Sequence, residues 1–364
     1  AFKDLAMQIL ARLMDHVLTE RGERLMIAGA TSGDTGGAAL EAFKTCDGIE
    51  TFFMFPDGKV SDFQRRQMTT VGADNCHALA IDGSFDDCQT MVKDMFANQA
   101  FASRVKLSAV NSINWGRVMA QVVYYFTAAT ALGAPEQKVS FTVPTGNFGD
   151  IYAGYVAKQM GLPIDRLVIA TNENDILART LATGNHKLGS VKATITPSMD
   201  IQISSNFERL LFEAAGRDST MVRDLMAALK HDHNYSLPDE MLKFIRDSFD
   251  AGAVSEVETV EEVARIFRDT GYIADPHPAI AVKVAHDYAD PEVPMVTLST
   301  AHPAKFPDTV HDATGKTAHP PVWGDIPGER SESVAYLAND RACVEEYMLK
   351  HSRLGLEAYQ SRTA

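Results

Sequence analysis

Val139-Ser140-Phe141-Thr142-Val143, running directly into Pro144-Thr145-Gly146-Asn147-Phe148-Gly149-Asp150, is the stretch that decides the fold. Its first part is an apolar run of strand length, and two glycines then turn the chain into a helical pattern after Gly149. The same step recurs on either side of it. Toward the N-terminus, the apolar run Arg24 to Gly29 leads through Thr31-Ser32-Gly33-Asp34-Thr35-Gly36 into a helix containing Leu40 and Phe43. The run Thr51 to Phe55 ends at Pro56-Asp57-Gly58, and a helix follows at Phe63 to Thr70. Strand Cys76 to Ile81, helix Ser84 to Asn98, short strand Ser108 to Val110 and a long helix from near Trp115 complete that side. Toward the C-terminus come strand Leu167 to Thr171 with a helix after Asn174, and a strand at Met295 to Ser299. Strands and helices alternating at this pitch predict an α/β fold: a parallel sheet covered by helices on both faces.

The remaining segments set the domain organisation. Leu5, Ile9, Leu10, Leu13, Met14 and Val17 recur at helical spacing, so residues 1–20 read as a helix. A smaller α/β domain is expected over 21–129 and a larger one over 130–314, with a mostly helical insertion at about 205–271. The boundary is placed near Ala129. Residues 315–364, with Pro320-Pro321, Gly324 and a last helix near Asp340 to Lys350, read as a C-terminal extension. There is no internal repeat and no low-complexity tract.

A chain of 364 residues with 45% hydrophobic and 23% charged residues has the composition of a globular protein large enough for two cores. Its net charge of −14 argues against nucleic acid as a partner, because phosphate neutralisation needs a basic face. Small anions stay open, since backbone N–H groups suffice for them. Four cysteines without a C-x-x-C pair argue against a disulfide scaffold and a zinc site, and for a reducing, cytoplasmic compartment. His231-Asp232-His233 reads as a solvated loop rather than a metal pair. No signal peptide opens the sequence. Met119 to Ala134 is too short and too often interrupted to span a membrane, and reads as a buried helix.

Two loops carry candidate chemistry, and both lie where parallel sheets gather ligands, between a strand and the next helix. In Thr145 to Asp150, Gly146 and Gly149 let successive N–H groups converge at a helix N-terminus, which suits a phosphate. A plain strand-to-helix turn needs the same glycines. No Lys-Ser/Thr follows Gly149, so this is no Walker loop, and the absence of G-x-G-x-x-G weakens a dinucleotide reading. The loop Thr31, Ser32, Gly33, Asp34, Thr35, Gly36 suits a carboxylate or phosphate, or else a helix cap on Thr35 or Asp34. Asn111 and Asn114 precede the long helix as ligand or capping residues, and Arg117 and Lys305 are candidate cations for a second phosphate. Lys3, read alone, is a solvated lysine.

Taken together and in order, these segments resemble one family. Phe2-Lys3-Asp4 is similar to the F-K-D motif of threonine synthases, and Ala30 to Gly36 to their A-T-S-G-D-T-G loop. Gly146-Asn147-Phe148-Gly149-Asp150 resembles their cofactor-phosphate loop. Asn172 to Asp175, Pro197 to Asp200, Ser204 to Arg209, Asp275-Pro276-His277-Pro278 and Thr300 to Phe306 resemble further signatures, of the bacterial and fungal type. From about Gly315 the sequence offers no marker. The family carries a sizeable portion with F-H-G-P-T upstream of F-K-D, so the resemblance implies that this chain is the greater part of a longer protein.

The resemblance implies a fold-type-II enzyme that uses pyridoxal 5'-phosphate (PLP): two three-layer αβα domains with the cofactor in the cleft between them. Lys3 would form the Schiff base. Gly146, Asn147, Phe148, Gly149 and Asp150 would hold the cofactor phosphate, Thr300 the pyridine nitrogen and Asn111 the ring oxygen. Thr31, Ser32, Gly33, Asp34 and Thr35 would hold the substrate carboxylate, with Asn114, Arg117 and Lys305 also facing substrate. The implied reaction turns O-phospho-L-homoserine and water into L-threonine and phosphate, the last step of threonine biosynthesis, in a monomer without nucleic-acid, membrane or metal partners. Serine or threonine dehydratases and cysteine synthases are the nearest rivals. A non-catalytic PLP- or anion-binding paralogue and a nucleotide-binding Rossmann domain are rivals of other classes.

Overall fold

The structure is a computed structural model that describes residues 1–31, 33–319 and 330–354. The chain divides into two compact units, Ala1–Arg117 with Pro321–Ala364, and Val118–Pro320. That division falls in the first turn of the long helix whose C-terminal end lies near Ala129.

The first unit opens with α1 (Phe2–Arg21), β1 (Leu25–Ala30), α2 (Asp34–Phe43), β2 (Ile49–Pro56), α3 (Asp62–Thr69), β3 (Cys76–Asp82), α4 (Phe85–Ala97), α5 (Gln99–Arg104) and β4 (Leu107–Ser108). Lys3 therefore lies within the first turn of α1. Pleating sorts the strand residues onto two faces. Ile27, Phe53, Phe55, Ala78 and Ala80 pack against α1, α2 and α3. Met26, Ala28, Phe52, Met54, Leu79 and Ile81 pack on the opposite face against α4 and α5.

The second unit is built from α6 (Trp115–Ala131), β5 (Val139–Pro144), α7 (Gly149–Gln159), β6 (Ile164–Thr171), α8 (Ile176–Thr183), β7 (Asn185–Lys187), α9 (Phe207–Ala214), α10 (Ser219–Asp232), β8 (Asn234–Ser236), α11 (Asp239–Arg246), β9 (Phe249–Ala253), α12 (Glu256–Thr270), α13 (Pro276–Tyr288), β10 (Met295–Thr297) and α14 (Pro307–Thr314). Its main sheet has the order β10-β5-β6-β9, all parallel. The expected helical insertion is interrupted: β9 lies within it and forms the sheet edge, while β7 and β8 make a small antiparallel pair. Phe141, Val143, Leu167 and Ile169 face α6, α7 and α8. Val168 and Ala170 face α13 through Ile280, Ala281 and Val284. α6 is not the buried helix expected: Val118, Val122, Tyr125 and Ala129 are buried, but Met119 and Val123 are exposed. His231 to His233 lie at the C-terminus of α10 instead of in a loop, with His233 left-handed at φ 58°.

The chain then returns to the first unit with β11 (Ala335–Ala338) and α15 (Arg341–His351). β11 extends the first sheet to the all-parallel order β11-β3-β2-β1-β4, and Val344 and Met348 of α15 pack beside Leu79 and Met95. Neither the strand nor its pairing was expected from the sequence. Among the described residues no helix is long and apolar enough to cross a membrane, and no group of His, Cys, Asp and Glu side chains is placed to hold a metal ion.

Candidate active site

In the first unit, the loop after β1 is closed on itself. Thr31 Oγ1 accepts the N–H groups of Gly33 and Gly36, both at 2.9 Å. Two donors expected to face a carboxylate are therefore used within the loop. Gly33 caps α2 at φ 128°, with no side-chain cap, so neither Thr35 nor Asp34 plays that part. A Cβ at Gly33 would come within 2.5 Å of the Gln64 side chain, and one at Gly36 within 2.5 Å of Thr31 Cγ2. Packing, beyond backbone freedom, demands glycine here. Asp34 is buried and faces Lys3: Nζ donates to its Oδ2 at 3.3 Å, while Gln64 Nε2 donates to Oδ1 at 3.1 Å. Lys3 also stands 4.9 Å above the Phe2 ring. Thr35 is half-buried, and Ser32 lies outside the described residues.

Of the residues before α6, Asn114 is a capping residue: its Oδ1 accepts the Gly116 N–H at 2.9 Å, and its Nδ2 donates to the Ala109 carbonyl. Asn111 is exposed. Arg117 is buried, with Nη1 donating to the Val110 carbonyl at 3.1 Å.

In the second unit, the loop between β5 and α7 has one side pinned and one side open. On its carbonyl side, Ser204 Oγ donates to the Gly146 oxygen at 2.7 Å, and the N–H and Nδ2 of Asn206 donate to the Asn147 oxygen at 3.1 and 3.0 Å. Ser205 Oγ donates to Asn147 Oδ1. On its N–H side, Asn147, Phe148 and Gly149 meet no acceptor among the described residues. The curl comes from Phe148, left-handed at φ 63°, ψ 3°, and not from the glycines. Its ring, packed against Phe207 and Phe249, holds that conformation. Gly146 is needed for another reason: a Cβ there would sit 2.6 Å from the Ser198 oxygen. Asp150 is buried, and Tyr125 Oη donates to its carbonyl oxygen at 2.8 Å. Burial beside Asp150 raises the Tyr125 hydroxyl far above its usual pKa, so it remains a donor. Orphaned N–H groups at the start of a helix form an anion cradle, and a phosphate fits it.

Thr300 follows β10, the strand beside β5, and is buried. It therefore lies at the same carboxyl edge of the sheet as the cradle. Lys305 is buried in the short helix Pro303–Lys305. Two groups that pattern reading quoted only as signatures acquire a place. Asn172 and Asn174 both donate to Asp200 Oδ1, at 2.7 and 3.0 Å, which anchors the segment leading to Ser204 and Asn206. Asp275 caps α13 and faces His277 Nδ1 at 2.8 Å. An Asp before Pro is a capping signal that sequence reading could have used.

Comparison with known proteins agrees with this geometry. Residues 1–294 match the family described as pyridoxal-phosphate dependent enzyme, and residues 278–348 the one described as threonine synthase, C-terminal. The second match extends through residue 348, over much of the region after Gly315 that had shown no marker. The chain is 50% identical over 358 residues to the threonine synthase of Pseudomonas aeruginosa, covering 98% of this chain and 76% of that protein. The PLP-bound threonine synthase of Brucella melitensis superposes with a TM-score of 0.95 at 57% identity, covering 97% of this chain and 76% of that one. The yeast threonine synthase gives 0.88 at 35% identity, with coverages of 96% and 76%. A threonine deaminase from Solanum lycopersicum shares the fold alone, at 12% identity and a TM-score of 0.59. With an orphaned N–H cradle and relatives matched along almost its whole length, the chain belongs to the threonine synthases, PLP-dependent lyases of fold type II.

Proposed function

We propose that the chain converts O-phospho-L-homoserine and water into L-threonine and phosphate. The observation that carries this reading is the cradle at Asn147 to Gly149, open on its N–H side and pinned on its carbonyl side. Those N–H groups would hold the cofactor phosphate, each bond to the charged group contributing roughly 1.5–3 kcal/mol. Gly146 gives the loop its close approach to Ser198, and Asp150 secures the first turn of α7 through Tyr125. Thr300 would offer a neutral hydroxyl to the pyridine nitrogen, Asn111 would face the ring oxygen, and Lys3 would hold the aldehyde carbon. Bound PLP supplies an electron sink for the carbanions formed on proton loss.

The chain's own residues handle binding and protons. The Lys3 amine takes protons from Cα and Cβ of the substrate, returns one to Cγ once phosphate has left, which makes the methyl group, and returns one to Cα after water has added, while Asp34 and Gln64 keep its side chain placed. The Thr31 to Thr35 loop would face the substrate carboxylate with groups other than Thr31 Oγ1 and the Gly33 N–H, which bond each other, and Asn114 would secure the start of α6. Arg117 and Lys305 are buried cations, and charge-assisted bonds from them would hold the departing phosphate. Expulsion of water at buried groups strengthens each of these interactions.

The test is an absorption spectrum with and without borohydride, on the parent chain and on Lys3→Ala. A PLP band trapped covalently by borohydride in the parent, and untrappable in the variant, is expected. Phosphate release from O-phospho-L-homoserine by the parent then settles the substrate. A band trapped equally well in Lys3→Ala would overturn the assignment of Lys3.

A further inference from the structure

The first turn of α13 buries a carboxyl group and an imidazole side by side. Asp275 is fully buried and His277 is 3% exposed. Asp275 Oδ1 accepts both the His277 N–H and, at 2.8 Å, the ring Nδ1. A carboxylate facing Nδ1 keeps the proton on that nitrogen, which leaves Nε2 as a bare acceptor in the neutral ring. Nε2 of His277 and Oδ2 of Asp275 are both buried and meet no partner among the described residues. A buried polar atom left without a partner is destabilising, which calls for a role.

Topology places this pair. α13 leads into β10, which lies parallel to β5, so α13 runs back along the sheet. Ile280 packs with Ala170 and Val254 at the ends of β6 and β9, whereas Tyr288, at the other end of α13, donates to the Ala251 carbonyl within β9. The Asp275–His277 end therefore lies at the carboxyl edge, where the cradle and Thr300 also lie. The His277 ring contacts Phe306, centroids 5.0 Å apart, in the segment that Thr300 opens.

The chemistry of that turn selects its task. Pro276 and Pro278 carry no N–H, Asp275 takes the His277 N–H, and the Ala279 N–H goes to the Asp275 carbonyl. The helix start thus offers an anion no donor, and a buried carboxylate repels one. What it offers is an oriented base, in the same arrangement as the carboxylate–imidazole pair that activates a hydroxyl in hydrolases. We propose that His277, oriented by Asp275, is the base that activates the water added to the substrate. The inference rests on the reading that water adds at Cβ of an eliminated phosphohomoserine. One water O–H bond breaks and its proton goes to His277 Nε2. The water oxygen forms the bond to Cβ, the displaced π pair moves to Cα, Cα gains a proton from Lys3, and Nε2 returns its proton to solvent. Atoms and charge balance without another reactant.

The test uses His277→Gln and Asp275→Asn in the PLP-loaded protein. The cofactor band and its titration are expected within about twofold of the parent, which shows an intact site. Threonine formation is expected to fall 10²–10³-fold. Phosphate release is expected to fall less, so that phosphate exceeds threonine. The surplus should appear as the four-carbon 2-oxo acid and ammonia, because substrate that is eliminated but not hydrated leaves by hydrolysis. A ring that merely packs α13 would lower both products together. Independently of turnover, nitrogen-15 spectra of the histidine rings should show His277 protonated on Nδ1 and bare on Nε2, with the Asp275→Asn change reversing that preference. Equal phosphate and threonine in the variants, threonine formation within tenfold of the parent, or a proton on Nε2 in the parent overturns the inference alone. Failure of the parent to release phosphate overturns the substrate reading, and this inference with it.

Discussion

At the scale of single residues, burial sets what each side chain can do, and His186 is the clearest case. It is 3% exposed, stacked on Tyr235 and Phe207, with Nδ1 at 2.8 Å from Thr180 Oγ1. Desolvation, and then the charge of Arg179, lower its pKa to about 4. In the unfolded chain the ring titrates near its ordinary value of about 6.5. Between pH 6.5 and 4 the unfolded state therefore binds more protons, and stability falls as pH falls through that window. The full effect is bounded at ~3 kcal/mol. His186→Phe keeps a flat ring between Tyr235 and Phe207 and removes the proton. Urea midpoints measured at pH 7 and pH 5 should draw closer together in the variant. An unchanged gap would assign the acid sensitivity to other groups. The cysteines show the same logic. Burial pushes Cys46 up to about 12, and Cys76 and Cys88 up to about 11, which makes all three poor nucleophiles, while Cys343 is exposed. In the native protein at pH 8, a disulfide reagent should modify Cys343 rapidly and the other three only on unfolding.

At the scale of elements, the β5–α7 loop depends on a partner segment far along the chain. Ser204, Ser205 and Asn206 hold its carbonyl side, and Asp200, gripped by Asn172 and Asn174, holds that segment. Asn206→Ala removes the Nδ2 bond to the Asn147 carbonyl, worth about 1 kcal/mol, together with the bond that Arg209 Nε donates to Oδ1, and loosens the cradle without touching its N–H groups. Cofactor affinity, read from the visible band, should fall about fivefold to tenfold, while the absorbance of the bound form stays unchanged. An unaltered affinity would mean that Phe148 alone fixes the loop. Gly146 and Gly149 make this loop legible in the sequence, but the curl sits at Phe148 and not at either glycine. Nothing local marks a phenylalanine for φ 63°, since its conformation is held by rings from α9 and β9. β9 escaped for a related reason. Asp250-Ala251-Gly252-Ala253 has little β-propensity, and the strand forms because it covers the β6 edge and because Arg166 donates to Asp250 at 2.6 Å. Elements with their own periodicity, such as β2 and α4, were legible, whereas those made by tertiary pairing were not.

At the scale of the whole molecule, the two main sheets are entirely parallel, and parallel sheets need cover on both faces. In the first unit, the cover of the Phe52, Met54 and Leu79 face comes partly from the far end of the sequence. Val344 and Met348 are both at 0% exposure, and β11 pairs along the β3 edge that would otherwise offer unpaired backbone groups. Arg65, Thr69 and Ser333 tie the same return segment to α3, through the Arg65–Glu332 and Thr69–Glu332 contacts and the Ser333 N–H to Thr69. Residues so distant in sequence leave no mark in local pattern, which is why residues 315–364 read as an appended extension when part of them completes a core. Met348→Ala should therefore behave as a core deletion, costing about 2–5 kcal/mol, and not as trimming of a tail. Hydrogen exchange on the full chain localises the loss. Amides of β2, β3 and β11 should exchange faster, whereas those of β5 and β6, which belong to separate hydrophobic clusters, should keep their protection. Uniform loss of protection in both sheets would show that the two cores unfold as one.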